Sequence, residues 1–337
     1  MIAARHIAAL FCFIVASMAA MMGSALANCD ANERVITIAT SSDATRPAHQ
    51  RAVAQLKSLV DQDLQGRACL QLVSDTGQFK DELIADAVRK GTVHLAFAET
   101  KTLSTEAPAL GILSQPFAFR DFQAVTKFSE RETLTPVYDT LASKGLQAFG
   151  LAHEGFDQLV ASRLVVNPDD MLGLRIAVSL QNTLRWFLPT KAIPKEFAED
   201  EKLKAFVRKD AEGAFARWNE IVSAELAKNA KVVLTTNHRY HGYALIGRKE
   251  WWDGLEPPLA RGLEQSFTRA LQQANFETVR RNRLLRDVVI RADVPVYTLT
   301  QTQWNRWRAA VQPTWDEMVA TPARALLPAL EAANALP

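Results

Sequence analysis

The sequence predicts an α/β protein of two lobes joined by a long helix. Predicted strands and helices alternate from residue 35 to residue 98, which is typical of a parallel sheet covered by helices. The alternation starts again after a strand predicted at 146–151, and this favours two such layers over one long sheet. From Pro257 an amphipathic helix of about 25 residues is, at 1.5 Å per residue, long enough to touch both lobes.

The elements of the first lobe follow from hydrophobic spacing. Leu56, Val60 and Leu64 recur at the period of one helix face, and Gly91 is suited to the left-handed conformation that ends a helix. The predicted strands are 35–39, 69–73, 93–98 and 146–151, and the predicted helices are 47–64, 77–90 and 135–144. In the second lobe the predicted strands are 158–161, 174–178, 232–235 and 243–247, and the predicted helices are 180–188 and 200–208.

The first 27 residues have the pattern of an export signal. Arg5 precedes an apolar run at 7–22, and Ala25-Leu26-Ala27 offers small residues to signal peptidase. The run is shorter than the ~20 residues that a membrane-spanning helix needs. We therefore expect cleavage near Ala27, a mature chain that begins at Asn28, and location in the periplasm.

The net charge and the cysteine content limit which partners and which cellular compartment are expected. The formal net charge is +2, which gives no electrostatic reason to expect nucleic acid or an acidic membrane as a partner. After removal of the signal the remaining cysteines are Cys29 and Cys69. In an oxidising compartment such a pair is most simply a disulfide, here closing a loop of about 40 residues.

Motifs for catalysis and for cofactors are absent from the sequence. It contains no G-x-S-x-G, H-E-x-x-H or C-x-x-C pattern and no phosphate-binding glycine loop. His238 and His241 fall between two predicted strands, so we interpret them as turn or cleft-edge residues and not as metal ligands. We therefore expect a protein that is not an enzyme and that has no metal and no cofactor.

Polar residues directly after predicted strands are the candidates for ligand binding. Glu99 follows the third strand, and Ser42 lies in the equivalent place after the first. In open parallel sheets, ligands bind in the crevice beyond the carboxyl ends of the strands. A surface or helix-capping role for Glu99 stays open at this point.

Four stretches of the chain resemble the DctP-type solute-binding receptors of tripartite ATP-independent periplasmic (TRAP) transporters. They are residues 85–99, residues 116–121 (PFAFRD), residues 170–176 (DMLGLRI), and Thr236-Asn237-His238 with the strand that follows. The resemblance implies a two-lobe periplasmic binding protein fold, class II-like, with interlobe crossover strands and a long spanning helix. It also implies capture of a small solute, usually an organic acid, and its delivery to TRAP membrane permease subunits.

The resemblance implies boundaries and leaves the role partly open. We expect lobe I to comprise 28–152 and 241–282, and lobe II to comprise 153–240 and 283–337. A binding protein that presents its ligand to a sensor kinase or chemoreceptor would share this fold. A periplasmic enzyme would explain only the export signal.

The resemblance also implies ligand contacts from Ser42, Glu99, Asn237 and two arginines of the second lobe. This sequence departs from the family pattern at both arginine positions. Asp157 stands where a G-x-R-x pattern has arginine, and Ala177 stands where a G-L-K-I-R pattern has it.

Three interpretations of these departures remain open. Arg175 lies two residues before Ala177, on the same strand face, and its long side chain could still reach a carboxylate. Alternatively, Asp157 and Glu99 accept hydrogen bonds from a cationic or hydroxyl-rich solute. The wall of such a site would come from Trp186, Phe215 or Trp218. In the third interpretation, Asp157 pairs with Arg163 or Arg175, and the cleft is repurposed or inactive.

Overall fold

The structure is a computed structural model that describes residues 29–40, 46–74, 79–179, 188–315 and 321–335. The predicted signal peptide, Ser42, Trp186 and nearly all of the helix predicted at 180–188 lie outside these ranges. Within them, no helix combines the length and the apolar character needed to cross a bilayer.

Nine strands of the described residues form one mixed sheet. Along the sheet the order is β2-β1-β3-β8-β4-β7-β5-β6, and β9 pairs with β8. The strands are β1 (Arg34–Thr40), β2 (Ala68–Ser74), β3 (Leu95–Glu99), β4 (Leu146–Ala161), β5 (Arg175–Ser179), β6 (Ile193–Phe197), β7 (Gly213–Ala216), β8 (Val232–Arg248) and β9 (Val296–Thr298).

Helices cover both faces of this sheet. The α-helices are α1 (Pro47–Asp63), α2 (Asp81–Arg89), α3 (Thr100–Leu103), α4 (Phe122–Phe128), α5 (Arg131–Ser143), α6 (Lys202–Val207), α7 (Trp218–Ser223), α8 (Lys249–Asp253), α9 (Pro257–Arg291), α10 (Gln301–Val311), α11 (Thr321–Arg324) and α12 (Leu327–Asn334). Short 3-10 helices occur at Pro108–Ser114, Pro168–Met171, Leu188–Thr190, Leu226–Lys228 and Gln312–Thr314.

The strands β4 and β8 are long because they run through both halves of the sheet. In the first half, β8 pairs with β3 through residues 243–247, and in the second half it pairs with β9 through residues 233–235. β4 lies antiparallel to β8 from Leu146 to Ala161. These are the crossover strands that the resemblance implies. The prediction of separate strands at 232–235 and 243–247 was wrong, because the polar residues between them also belong to the strand.

Parallel pairs of strands occur only within one or the other half of the sheet. β1 pairs in parallel with both β2 and β3, as the alternation of strands and helices predicts. β3 and β4 are antiparallel to β8, because β8 enters the first half from the second. The β1–β2 register places Val35 opposite Cys69. Cys29 and Cys69 are joined by a disulfide, with their Cα atoms 5.7 Å apart.

Each half of the sheet has a core on both faces, and α9 contributes to both halves. In the first half, Leu263 and Phe267 of α9 pack with α1 against β1–β3. In the second half, Val289 packs with α6 and α7 against β4, β5, β7 and β8. The helix therefore spans the two halves as predicted, over 35 residues.

The residue limits of the two lobes stay a proposal. The last described segment, which the proposed limits assign to lobe II, packs through Leu326, Leu330 and Ala333 in a core cluster of the first half. The proposed boundaries at 152/153 and 240/241 fall within β4 and β8, where the core clusters of the two halves meet.

Candidate functional site

A group of ionisable side chains lies where the two halves of the sheet meet. Side chains alternate across a strand. Phe156 of β4 and Tyr240 of β8 are paired and point towards α4 and its neighbours. Asp157, Arg239 and His241 therefore point to the opposite face. We call the set on that face the crossover group; its members are Glu154, Asp157, Arg217, Glu220, Arg239 and His241.

The centre of the crossover group is an ion pair between the two crossover strands. Asp157 and Arg239 are opposite each other in the β4–β8 register. Nε of Arg239 donates to Oδ2 of Asp157 at 2.8 Å, and its Nη2 lies 2.8 Å from the same oxygen. Nε2 of His241 lies 3.0 Å from Oδ1. The side chains of Arg239 and Asp157 are 20% and 6% exposed, so the arginine reaches solvent and the acid does not.

Burial and charge act in opposite directions on the pKa of Asp157. Burial alone would raise it, but the neighbouring Arg239 and His241 outweigh that effect and hold the pKa well below its usual value. Burial lowers the pKa of His241, and Asp157 only partly compensates. Asp157 is therefore ionised at neutral pH.

A second ion pair joins α7 to β4. Arg217 directly precedes α7, and its Nε and Nη2 donate to Glu220 at 3.1 and 2.8 Å. Its Nη1 lies 3.5 Å from Oε1 of Glu154. Burial alone would lower the pKa of Arg217, but the charges of Glu220 and Glu154 raise it.

Glu154 has the most buried carboxylate in the crossover group. Its side chain is 2% exposed, and Oε2 has no hydrogen-bond partner within the described residues. Burial raises its pKa, and the charges of Arg217 and Arg51 only partly oppose that effect. A buried acceptor without a donor is uncommon and calls for an explanation.

The first half of the sheet adds further charged residues to this region. Glu99 ends β3 and lies opposite Tyr243 of β8. Arg46, just before α1, binds Asp81 through Nη1 and Nη2 at 2.7 and 2.5 Å. Burial raises the pKa of Tyr243, as do the nearby charges of Glu154 and Glu99. Tyr243 therefore lies between the acid after β3 and the crossover group.

The backbone is irregular at this point. The β4–β8 register shifts between His153 and Gly155 and again between Asp157 and Leu159. Asn237 has a φ of 45°. Nδ2 of Asn237 donates to the carbonyl of Arg120 at 2.8 Å, and its Oδ1 accepts from Gln158 at 2.8 Å. In this structure the side chain of Asn237 is thus held by Arg120 and Gln158, and its predicted contact with a ligand stays a prediction.

Arg175 lies far from the crossover group. Its Nε and its backbone N–H both donate to Glu212 at 3.2 Å. Arg175 precedes the residue paired with Gly213, and Gly213 pairs with Ala161. At about 3.3 Å per residue, Ala161 is already some 13 Å along β4 from Asp157. This geometry does not favour the interpretation in which Arg175 takes over the role of the missing arginine.

The third interpretation, in which Asp157 pairs with Arg163 or Arg175, does not agree with the structure. Asp157 pairs with Arg239 and His241, whereas Arg163 donates to the carbonyl of Leu172 at 2.8 Å. The sequence offered one signal for Arg239, since it lies two residues after Asn237 in a stretch that matches the family. The alignment of β4 with β8, which brings Arg239 to Asp157, could not be read from spacing.

Three further predicted contact residues lie in the core of the second half. Ala177 is fully buried, and Phe215 and Trp218 are 3% and 4% exposed. The ring of Phe215 packs 4.6 Å from that of His238. Contact of these three residues with a ligand stays a prediction that would require the second half to open.

The two histidines interpreted as turn residues are part of a strand. His238 and His241 both lie within β8, and Nδ1 of His238 is 2.6 Å from the hydroxyl of Thr236. Among the described residues no cluster of three or more potential metal ligands occurs.

Known proteins match this chain over nearly its whole length. The C4-dicarboxylate-binding periplasmic protein DctP of Vibrio cholerae is 25% identical over 323 residues, which is 95% of this chain and 97% of that protein. A TRAP periplasmic solute-binding protein from Ochrobactrum anthropi superposes with a TM-score of 0.81 at 20% identity, covering 89% of this chain and 95% of its own. One from Shewanella oneidensis, with bound succinate, has a TM-score of 0.71 at 19% identity and covers 89% and 99%.

These structures have the two-lobe fold of periplasmic binding proteins, and this chain shares it. The family model DctP, described as bacterial extracellular solute-binding protein, family 7, matches residues 38–321. The chain therefore belongs to the DctP family of bacterial extracellular solute-binding proteins, which are not enzymes.

Proposed function

We propose that this chain is a periplasmic receptor that holds a small organic acid between its lobes and delivers it to a TRAP-type permease. The observation that carries the proposal is the crossover group, which places a partly exposed arginine among buried charges where the two halves of the sheet meet. Two of the similar proteins support the choice of solute, one by its name and one by its bound succinate.

Arg239 is the proposed contact for a solute carboxylate. Its Nε donates to Asp157 and its Nη2 lies 2.8 Å from the same carboxylate oxygen, and these contacts hold the guanidinium group in place. The outer edge, with Nη1, has no hydrogen bond to another described residue. A guanidinium group binds a carboxylate through two parallel hydrogen bonds, and that outer edge has the required geometry.

Arg51 is a second proposed source of positive charge, from the first half of the sheet. It lies on α1, and its buried Nε has no partner within the described residues. Burial and the charge of Arg281 lower its pKa, whereas Glu154 and Glu277 raise it. A solute carboxylate near Arg51 would raise the pKa of Arg51 and so oppose the effects of burial and of Arg281. A solute that contacts Arg239 and Arg51 would link the two halves.

Thermal unfolding with a panel of solutes tests this proposal. A ligand that binds only the folded protein raises its melting temperature. Succinate, L-malate and D-galacturonate serve as acids, putrescine as a cation and glycerol as a neutral polyol. We expect at least one acid to stabilise the protein, and no stabilisation by putrescine or glycerol. Arg239→Gln should weaken acid binding by about a hundredfold, because a charge-assisted pair is lost.

Arg283→Gln is the matched control, since Arg283 is an exposed arginine of α9 outside the crossover group. It should bind the acid as the unmodified protein does. Stabilisation by putrescine or glycerol alone would contradict the proposal. Equal acid affinity of Arg239→Gln and the unmodified protein would remove Arg239 from the site.

A further inference from the structure

The crossover group contains one carboxylate oxygen whose hydrogen-bonding capacity is unused. Oε2 of Glu154 is buried and has no hydrogen-bond partner within the described residues. The side chain is 2% exposed, compared with 6% for Asp157 and 23% for Glu220. Leaving a buried carboxylate oxygen without a donor costs free energy, so a donor that arrives with a ligand would be stabilising.

Residues from both halves of the sheet surround Glu154. Arg217 contacts it from the second half of the sheet. From the first half, α1 contributes the charge of Arg51, which lowers the pKa of Glu154. The charge of Glu154 also raises the pKa of Tyr243, which lies opposite Glu99. Glu154 therefore lies between the two halves, three residues before Asp157 in β4, which is the partner of Arg239.

We propose that Oε2 of Glu154 forms a hydrogen bond with a hydroxyl group of the bound solute, so that the receptor selects hydroxycarboxylates over plain carboxylates. This inference rests on the proposed function and narrows its solute class.

A hydroxyl group fits Glu154 better than an ammonium group does. The positive charges of Arg217 and Arg51 already stabilise the ionised carboxylate of Glu154. Both arginines would repel a third positive charge. Burial also favours the protonated acid, and a hydroxyl group can donate to a carboxylate or accept from a carboxylic acid. An ammonium group can only donate.

Matched pairs of acids that differ by one hydroxyl group test the inference. The pairs are propionate and L-lactate, succinate and L-malate, and glutarate and 2-hydroxyglutarate, and L-aspartate replaces the hydroxyl of malate by an ammonium group. For the pair that binds, calorimetry should show that the hydroxy acid binds at least about tenfold more tightly than the plain acid. The reason is that the plain acid leaves a buried polar group of the site without a partner. L-aspartate should bind no better than succinate.

Two variants assign this preference to Glu154. Glu154→Leu should lower the affinity for the hydroxy acid to that for the plain acid, while the affinity for the plain acid changes by less than about threefold. Glu154→Gln keeps a carbonyl acceptor in the same place and should retain part of the preference. Glu264→Gln, in an exposed ion pair of α9 with Arg131, is the control and should retain all of it.

The outcomes separate this inference from the proposed function. If acids bind but the hydroxyl group makes no difference, or if Glu154→Leu keeps the preference, the inference fails and the function stands. Tighter binding of L-aspartate than of L-malate would overturn the inference as well. If no carboxylate binds, both fail. Should Glu154→Leu not fold, loss of part of the preference in Glu154→Gln supports the inference, and full retention in both Glu154→Gln and Glu264→Gln counts against it.

Discussion

At the scale of single residues, the site consists of charges that compensate one another inside the protein. Asp157 stays ionised because Arg239 and His241 outweigh its burial, and Glu220 does so because of Arg217. Removing one partner of a buried pair leaves an uncompensated charge and is strongly destabilising. The side chains of such pairs therefore keep their positions. Because Arg239 is paired with Asp157, the outer edge of its guanidinium group keeps its orientation as well.

Part of the crossover group could be predicted from the sequence. The resemblance pointed to Glu99, which ends β3 opposite Tyr243 of β8, and to position 157, which lies within the group. Arg239, Arg217 and Glu154 were missed because their partners come from other strands and helices. A one-residue change of register would have placed each of them elsewhere.

Two buried histidines should make stability depend on pH. Burial lowers the pKa of His153 to about 3, whereas the unfolded chain has a value of about 6.5. The unfolded chain therefore binds more protons between these values, and stability is full above pH 6.5 and falls as the pH is lowered. His238 is lowered to about 3 in the same way. At pH 5 each histidine should cost about 2 kcal/mol of unfolding free energy.

Urea unfolding at pH 7 and pH 5 measures this effect. In His153→Gln the loss of stability between the two pH values should be smaller by about 2 kcal/mol, because His153 no longer contributes. The variant will be less stable at pH 7, since Nδ1 of His153 lies 2.8 Å from the hydroxyl of Tyr240. An equal loss in both proteins would show that His153 is protonated in the folded state.

At the scale of elements, several predicted segments match the observed ones closely, but the crossover strands were predicted in pieces and β6, β7 and β9 were not predicted. β1 was predicted at 35–39 and is observed at Arg34–Thr40, and α1 was predicted at 47–64 and is observed at Pro47–Asp63. β4 was predicted as two pieces because His153, Glu154 and Asp157 interrupt its apolar pattern. These residues are buried but paired or packed, which a hydrophobic pattern does not show.

Gly150 tests the contact between β4 and the long helix. Its φ is 144°, and a Cβ atom there would lie 2.8 Å from Cδ1 of Leu271 in α9. Gly150→Ala should therefore lower the unfolding free energy by about 1–3 kcal/mol through backbone strain and overpacking.

Gly111→Ala is the control for this substitution, because its Cβ would meet no atom closer than 4.0 Å and its φ is not positive. Chemical denaturation should place it within about 1 kcal/mol of the unmodified protein. Gly150→Ala with stability equal to that of the control would mean that β4 and α9 are not closely packed at this position.

At the scale of the whole molecule, two half-sheets with separate cores share two strands and one helix. Apolar clusters of the first half contain α1, α2, α4 and α5, and those of the second contain α6, α7 and α10. The irregular stretch of β4 and β8 between them is suited to act as a hinge. The resemblance implied this architecture, and composition with periodicity alone indicated only two α/β layers and a long helix.

A crystal structure of the protein with the acid that stabilises it most in the panel is the most direct test. We predict that this acid lies on the face of β4 and β8 that carries the crossover group. Its carboxylate should bind the outer edge of Arg239, and its hydroxyl group should lie within hydrogen-bonding distance of Oε2 of Glu154. An acid bound elsewhere, with both groups untouched, would contradict the account.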